Sequence, residues 1–240
     1  MADVLLSSLF PELRVELPGI PEPLLVAATK RITRQFFRKS ESWRYDLDVV
    51  LNWTTALTFP AIVAGTDIPT DTHVVRVDQV RFGITDADRT IRFVPRDQLD
   101  REDPDWQTST GSIPSAWTHV AAGLARIIPI ASADVNTSLH IRAVIAPSPD
   151  KVDLPEFLFY EFEEFIKFGV LGQLMKIVGK DWTNVSLSTL YEKKFQNGIR
   201  EAKSKAHAEY GQPDREVVYG GIPFSRASSR RANDYGLTSG

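Results

Sequence analysis

The feature that most constrains the fold of this chain is an apolar repeat between Val185 and Tyr210. Apolar residues recur there every three or four positions, and lysine, arginine and glutamate occupy many of the positions between them. The repeat consists of Leu187, Tyr191, Phe195, Ile199, Ala202 and Ala206. This spacing predicts an amphipathic helix over residues 185–210, whose apolar face must be buried against the rest of the protein.

A second helical pattern runs from about Pro23 to Ser42. It opens with a proline, which is tolerated in the first turn of a helix. Leu25, Ala28, Ile32 and Phe36 follow at intervals of three and four, with basic residues between them. Residues 1–23 contain several prolines and have no such period, so we expect extended chain and turns there.

A third helix is predicted from about Pro155 to Val178, with Asp153 as its N-cap and Gly179 at its end. It is rich in aromatic residues. Gly169 and Gly172 lie three residues apart in this segment. They predict a narrow strip along which another helix approaches closely, because neither has a side chain to hold it off.

Residues 46–146 have the alternation of β-strands instead. Apolar and polar side chains alternate within four stretches, 46–54, 73–82, 90–94 and 138–145, and glycines and prolines lie between them. Short strands separated by turn residues predict a small antiparallel sandwich or barrel. The segment Pro95–Ser115 is long, polar and acidic, so we expect an exposed loop.

This order of elements predicts an α+β fold. The three helices are expected to pack together, because each has one apolar face to bury. Residues 1–45 and 153–210 would form this small helical bundle, and residues 46–152 an inserted antiparallel β-domain. Residues 211–240 would form an extended C-terminal tail.

The tail has no periodicity and is rich in glycine, serine and arginine. Such a segment cannot form its own core, so it is expected to be disordered alone and to order as an extended strand on a partner. The candidate partner-binding residues are its apolar and basic side chains: Val218, Tyr219, Ile222, Phe224, Arg226, Arg230, Arg231, Tyr235 and Leu237.

Composition excludes several classes of function. The chain has no cysteine, which removes disulfides, thiol nucleophiles and cysteine-ligated metal sites. Its 28 basic and 31 acidic side chains give a formal net charge of −3, whereas a protein that coats nucleic acid or an anionic membrane needs a basic excess. No apolar run approaches the ~20 residues of a membrane span. The N-terminus has no signal-peptide pattern.

Catalytic and metal-binding patterns are missing as well. No two of the four histidines, His73, His119, His140 and His207, lie close in sequence, and His73 and His140 fall in predicted strands. The acidic stretches have neither the Glu-x-x-His spacing of a di-metal site nor the EF-hand pattern. Phosphate-binding glycine loops and the nucleophile-elbow motif are also absent. We therefore expect no enzymatic activity, no cofactor and no bound metal.

Two stretches give the chain a family resemblance. The first is Ile20-Pro-Glu-Pro-Leu-Leu25, which leads into a helix that ends Gln35-Phe-Phe-Arg-Lys-Ser-Glu-Ser-Trp-Arg44. The second is Gly179-Lys-Asp-Trp-Thr-Asn184, followed by a helix with Tyr191-Glu-Lys-Lys-Phe195 and an Ala/Lys run to His207. In this order the chain resembles the adaptor proteins of tailed-bacteriophage head–tail connectors.

The resemblance implies a structural protein of the virion, found at the neck. It implies a ring of twelve copies beneath the portal protein, with later tail or nozzle proteins docking below and DNA passing non-specifically through the central channel. In this family the C-terminal tail reaches into the portal ring, which makes the tail residues named above the expected portal contacts. The acidic stretch Asp97–Asp105 would face the channel or the next component.

Three other interpretations remain open from the residues. A tail-completion or tail-terminator protein would have the same size and the same lack of chemistry. A carbohydrate-binding module would use Trp53, Trp106 and Trp117 of the β-region as a sugar platform. A hydrolase would require scattered histidine and aspartate residues to converge in space.

Overall fold

The structure is a computed structural model. It describes residues 2–49, 52–53, 68–83, 89–111, 113–121, 124–131, 135–136 and 138–210. The described helices are α1 (Phe10–Glu16), α2 (Glu22–Ser40), α3 (Arg96–Glu102), α4 (Glu156–Leu174) and α5 (Val185–Tyr210), and a 3-10 turn spans Leu6–Leu9. The described strands are β1 (Asp3–Leu5), β2 (Arg44–Val49), β3 (Asn52–Trp53), β4 (Thr72–Gly83), β5 (Arg89–Phe93), β6 (Thr110–Gly111), β7 (Ala116–Ala121), β8 (Leu124–Ile128), β9 (Ile130–Ala131), β10 (Val135–Asn136), β11 (Ser138–Pro147) and β12 (Asp153–Pro155). The fold is α+β, as predicted.

Two of the three predicted helices lie where the periodicity placed them. Helix α5 has the predicted bounds. Helix α2 begins at Glu22 with Pro23 in its first turn, and it ends where Glu41 adopts a left-handed conformation with φ 55°. Both predictions are confirmed because each repeat is long, regular and one-sided.

The third predicted helix differs at both ends. Asp153 does not cap α4 but lies in β12, where its carboxylate pairs with Lys151 at 2.7 Å. Helix α4 ends at Leu174, before the predicted Val178, because the chain then turns over a buried Trp182. Hydrogen bonds hold this turn: the amide of Asn184 donates to the carbonyl of Met175 at 3.1 Å.

The N-terminal 23 residues are more structured than predicted. Strand β1 pairs antiparallel with β12, just before α4, and α1 follows the 3-10 turn. Leu13 and Leu17 are fully buried here. The prediction of extended chain and turns was wrong for α1, which is a helix. It also did not include the pairing of β1, because the partner strand lies about 150 residues away, beyond the reach of any local pattern.

Six strands form one sheet in the order β2-β11-β4-β5-β7-β8. Every pairing in it is antiparallel except that between β5 and β7, which is parallel. A parallel pair needs a crossover connection instead of a hairpin. The residues between β5 and β7 supply this crossover, and it contains α3.

That crossover corrects the predicted exposed loop over Pro95–Ser115. Leu99 of α3 and Trp106 are buried, and with Val94 and Ile128 they form a second, smaller hydrophobic cluster. The indole Nε1 of Trp106 donates to Asp100 Oδ1 at 2.7 Å. The sequence does not predict this cluster, because two apolar side chains among many charged ones do not form a repeating apolar pattern.

Two of the three tryptophans of the proposed sugar platform are buried. Trp106 and Trp117 are each only 2% exposed. The Nε1 atom of Trp117 donates to the backbone carbonyl of Ile91 at 3.1 Å, inside the sheet. The side chain of Trp53 lies outside the described residues. Neither described indole can therefore present a face to a sugar ring.

One hydrophobic cluster extends from the helices to the sheet. It contains the apolar faces of α2, α4 and α5 together with buried residues of β4 and β11, such as Val80, Ile141 and Ile145. Strand β11 lies between β2 and β4, and α2 packs against it. Helix α2 is thus the element that contacts both the other long helices and the sheet.

Candidate interaction surfaces

The three long helices approach one another closely at two glycines of α4. A Cβ atom on Gly169 would lie 2.5 Å from Ile32 Cγ2 and 2.7 Å from the ring of Phe195, so both neighbouring helices occupy the space of a side chain. At Gly172 the nearest atom would be the backbone nitrogen of Glu192, at 3.1 Å. The hydroxyl of Ser188 also donates to the carbonyl of Gly172 at 2.6 Å. The predicted close approach is confirmed.

Aromatic rings fill the space between these helices. The ring of Phe36 on α2 lies 5.1 Å from that of Phe162, 6.1 Å from that of Phe195 and 6.3 Å from that of Phe165, measured between centroids. Phe36 and its neighbour Phe37 are fully buried. These distances are within the range of favourable aromatic pairs, so the rings bind α2 to the α4–α5 hairpin.

A charged network joins the helices to the sheet. Glu41, at the end of α2, accepts from Arg76 of β4 at 2.7 Å and from Lys203 of α5 at 3.1 Å. Asp78 of β4 forms ion pairs with Arg76 at 3.2 Å and with Arg44 of β2 at 3.1 Å. We call these five residues the junction network. The side chains of Arg44 and Asp78 are only 2% and 7% exposed, so this pair is nearly desolvated.

His207, in the last turn of α5, lies beside the junction network. Burial lowers the pKa of His207, Arg44, Lys203 and Arg76 lower it less, and Glu41 acts in the opposite direction. The surroundings therefore favour the neutral imidazole. The pair of Lys203 with Glu41 connects the last turns of α5 to this network, shortly before the predicted tail.

The other histidines lie on strands of the sheet. Burial and the charge of Arg76 lower the pKa of His119. His73 and His140 lie in β4 and β11, as predicted. In the described part of the chain no three histidine or carboxylate side chains come together as metal ligands. Among the same residues no helix is long and apolar enough to cross a membrane.

A groove runs along the side of α2 that faces away from the core. Its volume is about 670 Å³, and it is lined by Glu22, Pro23, Val26, Ala27, Lys30, Arg31, Arg34 and Pro149. We call it the basic groove. Its floor is apolar, and three of its residues are basic. The charges of Arg34 and Arg38 also lower the pKa of His73, after the larger effect of burial, so the positive region extends toward β4.

The first turns of α4 expose a surface of the opposite charge. Phe157 and Tyr160 are 53% and 60% exposed, which is unusual for aromatic side chains. Glu156 and Glu164 are exposed beside them, and Glu163 is half-buried. We call these five residues the acidic aromatic face. Its neighbour Glu161 is paired with Lys205 of α5.

The sequence-predicted site residues all lie in the tail. Val218, Tyr219, Ile222, Phe224, Arg226, Arg230, Arg231, Tyr235 and Leu237 are outside the described residues. They remain predictions. Sequence reasoning missed the basic groove and the acidic aromatic face, although the interval of four that separates Lys30, Arg34 and Arg38 is visible in the sequence.

The family of this chain follows from its similarity to known proteins. A search of curated proteins gave no match. The family model described as SU10 adaptor protein matches residues 6–217, which include all the long helices and the sheet. The match confirms the resemblance to phage head–tail adaptors. The chain therefore belongs to the SU10 adaptor protein family, and is a structural protein of the phage virion that associates with other head or tail proteins.

Proposed function

We propose that this adaptor forms a ring beneath the portal of the capsid, joins the capsid to the tail, and leaves a channel for DNA. The observation that carries the proposal is the family match, which extends over residues 6–217 and so reaches from the N-terminal turn to the start of the tail. A ring of twelve copies would match the symmetry of the portal. Later tail or nozzle proteins would dock on its other side.

In this proposal the C-terminal tail is the portal-binding segment. Residues 211–240 include apolar and basic side chains that an extended strand could place in a groove of a partner. Support comes from the end of α5, where Lys203 pairs with Glu41 of the junction network at 3.1 Å. A tail that starts from a fixed point has a smaller volume to search, and repeated copies in a ring add their weak contacts together.

The division of the chain into parts belongs to the same proposal. Residues 1–45 and 153–210 would act as the helical bundle and residues 46–152 as the inserted β-domain. The mechanism is mechanical and needs no enzymatic step. DNA would pass through the channel without specific contact, and the net charge of −3 favours passage because it offers no basic excess to retain phosphates.

The proposal is tested by native mass spectrometry of the adaptor mixed with the portal ring of its phage. The full chain is compared with a chain that ends at Tyr210. We expect about one full-length copy per portal subunit and little binding of the shortened chain. If neither chain binds the portal, the portal-adaptor function is wrong, and a tail-completion or tail-terminator role replaces it. If both bind equally, the tail is not the portal-binding segment.

A further inference from the structure

We propose that copies of this chain associate head to tail, with the acidic aromatic face of one copy seated in the basic groove of the next. This proposal rests on the proposed ring and names the two surfaces that would build it. The occupant of the groove is a second copy of the chain. Four observations carry the proposal. They are the unpaired charges of each surface, the complementary chemistry of the two surfaces, their placement on opposite sides of the chain, and the low net charge.

Among the residues that the structure describes, no carboxylate forms an ion pair with the basic side chains of the groove. The Nζ atom of Lys30 donates to the backbone carbonyl of Asp150 at 3.2 Å, and Arg31 donates to the amide oxygen of Gln173 at 3.1 Å. Both acceptors are uncharged. Within the described ranges, neither these two side chains nor Arg34 or Arg38 forms an ion pair. Glu22 is the acidic residue of the groove, and it is paired with Arg14 at 3.0 Å.

The acidic aromatic face has the matching charge and shape. Among the residues that the structure describes, Glu156, Glu163 and Glu164 form no ion pair, so their negative charges are available to a partner. Phe157 and Tyr160 project between them and are more than half exposed. Aromatic rings and arginine are enriched in the buried centres of protein interfaces, where a guanidinium can also lie over an aromatic ring. The basic groove has an apolar floor with basic residues at its edge, and the acidic aromatic face has exposed rings with carboxylates at its edge, so the two surfaces are complementary.

The two surfaces face away from each other on the same chain. Helix α2 turns Ile32 and Phe36 toward α4, and α4 turns Phe162 and Gly169 toward α2. Lys30 and Arg34 are each two residues from Ile32, which places them about 200° around the helix. Tyr160 and Glu164 are each two residues from Phe162, and the same rotation of about 200° turns them away from α2.

The placement of the two surfaces on opposite sides of the chain favours a head-to-tail contact over a two-fold contact. Two different surfaces on opposite sides of a subunit give a heterologous contact, and repetition of that contact closes into a ring when the rotation allows it. A two-fold dimer would instead bring one surface against its own copy, which here would oppose like charges. The net charge of −3 adds little repulsion between copies.

Cysteine cross-linking tests the contact, because the chain contains no cysteine of its own. Two full-length variants, Arg34→Cys and Glu164→Cys, are mixed in equal amounts and treated with a short bismaleimide. We expect the mixed dimer to exceed the product of a control pair, Arg34→Cys with Lys193→Cys, by at least about fivefold. Lys193 is an exposed base on α5, outside both surfaces. Circular dichroism of each variant verifies that it is folded.

Two further arms give the direction and the chemistry. A single chain with both Arg34→Cys and Glu164→Cys should give a ladder of linked trimers and larger species, whereas either cysteine alone should give no more dimer than the control pair. Raised salt should lower the yield, because charge attraction between exposed groups is screened.

The proposal is overturned if the mixed product does not exceed the control at any protein concentration, whether the protein is free or bound to the portal ring. It is also overturned if only Arg34–Arg34 or Glu164–Glu164 products form, since these require a two-fold contact. Lost portal binding with intact cross-linking would overturn the proposed function and leave this contact standing. Intact portal binding with lost cross-linking would overturn this contact alone.

Discussion

The contact among α2, α4 and α5 and the junction between these helices and the sheet are built from opposite chemistry. The first is made of aromatic rings against glycine backbone, with Phe36 fully buried near its centre. The second is made of charges, of which Arg44 and Asp78 are nearly desolvated. Burial of apolar surface gives most of the stability of a fold, whereas a buried ion pair gains little over its desolvation cost. We therefore assign most of the stability to the helix contact, and the orientation of the helices on the sheet to the junction network.

The largest expected effect comes from breaking the helix contact. The substitution Phe36→Ala removes a ring that contacts Phe162, Phe165 and Phe195 and leaves a cavity that the surrounding backbone cannot close. We expect the free energy of unfolding to fall by about 3–5 kcal/mol. Urea denaturation followed by circular dichroism measures this loss.

The matched control for this variant is Phe157→Ala, which removes the same ring from an exposed position on α4. We expect it to change the free energy of unfolding by about 0.5 kcal/mol or less. Equal losses for the two variants would contradict the assignment of stability to the buried aromatic contact. A loss at Phe157 alone would reverse it.

A smaller effect is expected at the junction network, and it should be recoverable. The substitution Asp78→Ala removes the carboxylate that forms ion pairs with both Arg44 and Arg76. Breaking a buried ion pair on one side costs about 3 kcal/mol or slightly more, because the remaining charge stays in a poorly solvated site. The double variant Arg44→Met/Asp78→Leu removes both charges and keeps the volume, so we expect it to recover most of that loss.

The same urea denaturation measures the junction variants. A double variant as unstable as Asp78→Ala would show that the network supplies net stability, and the contrast between the two contacts would fail. Recovery of stability should come with a looser junction. Hydrogen exchange should then be faster in the last turns of α5 and unchanged in the middle of α4.

The two contacts also differ in how far the sequence predicts them. The bounds of α5 follow from an uninterrupted apolar repeat, and the close approach at Gly169 follows from the type of residue alone. Local spacing carries this information because neighbouring turns of one helix contact the same partner. The sequence also predicts that the three one-sided helices share their apolar faces, whereas the individual partners, such as Ile32 with Gly169, come from the structure.

The junction network could not be predicted in this way. Glu41 and Lys203 are 162 residues apart, and nothing in the local sequence of either distinguishes it from other surface charges. Helix α3 was missed for a related reason: its buried side chain, Leu99, is alone among charged neighbours. The parallel pairing of β5 with β7 depends on that same crossover. Contacts between distant segments are decided by the whole fold and leave little local trace.

The smallest expected effect is the contribution of His207, beside the junction, to the pH dependence of stability. The pKa of His207 lies below its ordinary value of 6.5 because burial disfavours the charged ring, and Arg44, Lys203 and Arg76 disfavour it further, against the opposing charge of Glu41. At pH values well above 6.5 the ring is neutral in both the folded and the unfolded state, and its full contribution to stability is present. As the pH falls below that value, the unfolded chain binds the proton first, so the free energy of unfolding decreases. The loss stops growing once the pH is below the folded pKa.

The variant His207→Gln isolates this contribution, since glutamine keeps a polar side chain that does not titrate. Burial also lowers the pKa of His73 and His119, so these two residues destabilise the protein in the same direction at low pH. We therefore expect the urea concentration at the unfolding midpoint to decrease for the unsubstituted protein as the pH is lowered from about 7.5 to about 5.5. The decrease should be smaller for His207→Gln. Identical slopes would mean that the imidazole is not desolvated at the end of α5. Acid would add a positive charge to the ring near Arg44 and should therefore loosen the junction. The aromatic contact around Phe36 contains no titrating group, so the same change of pH should leave it unaffected.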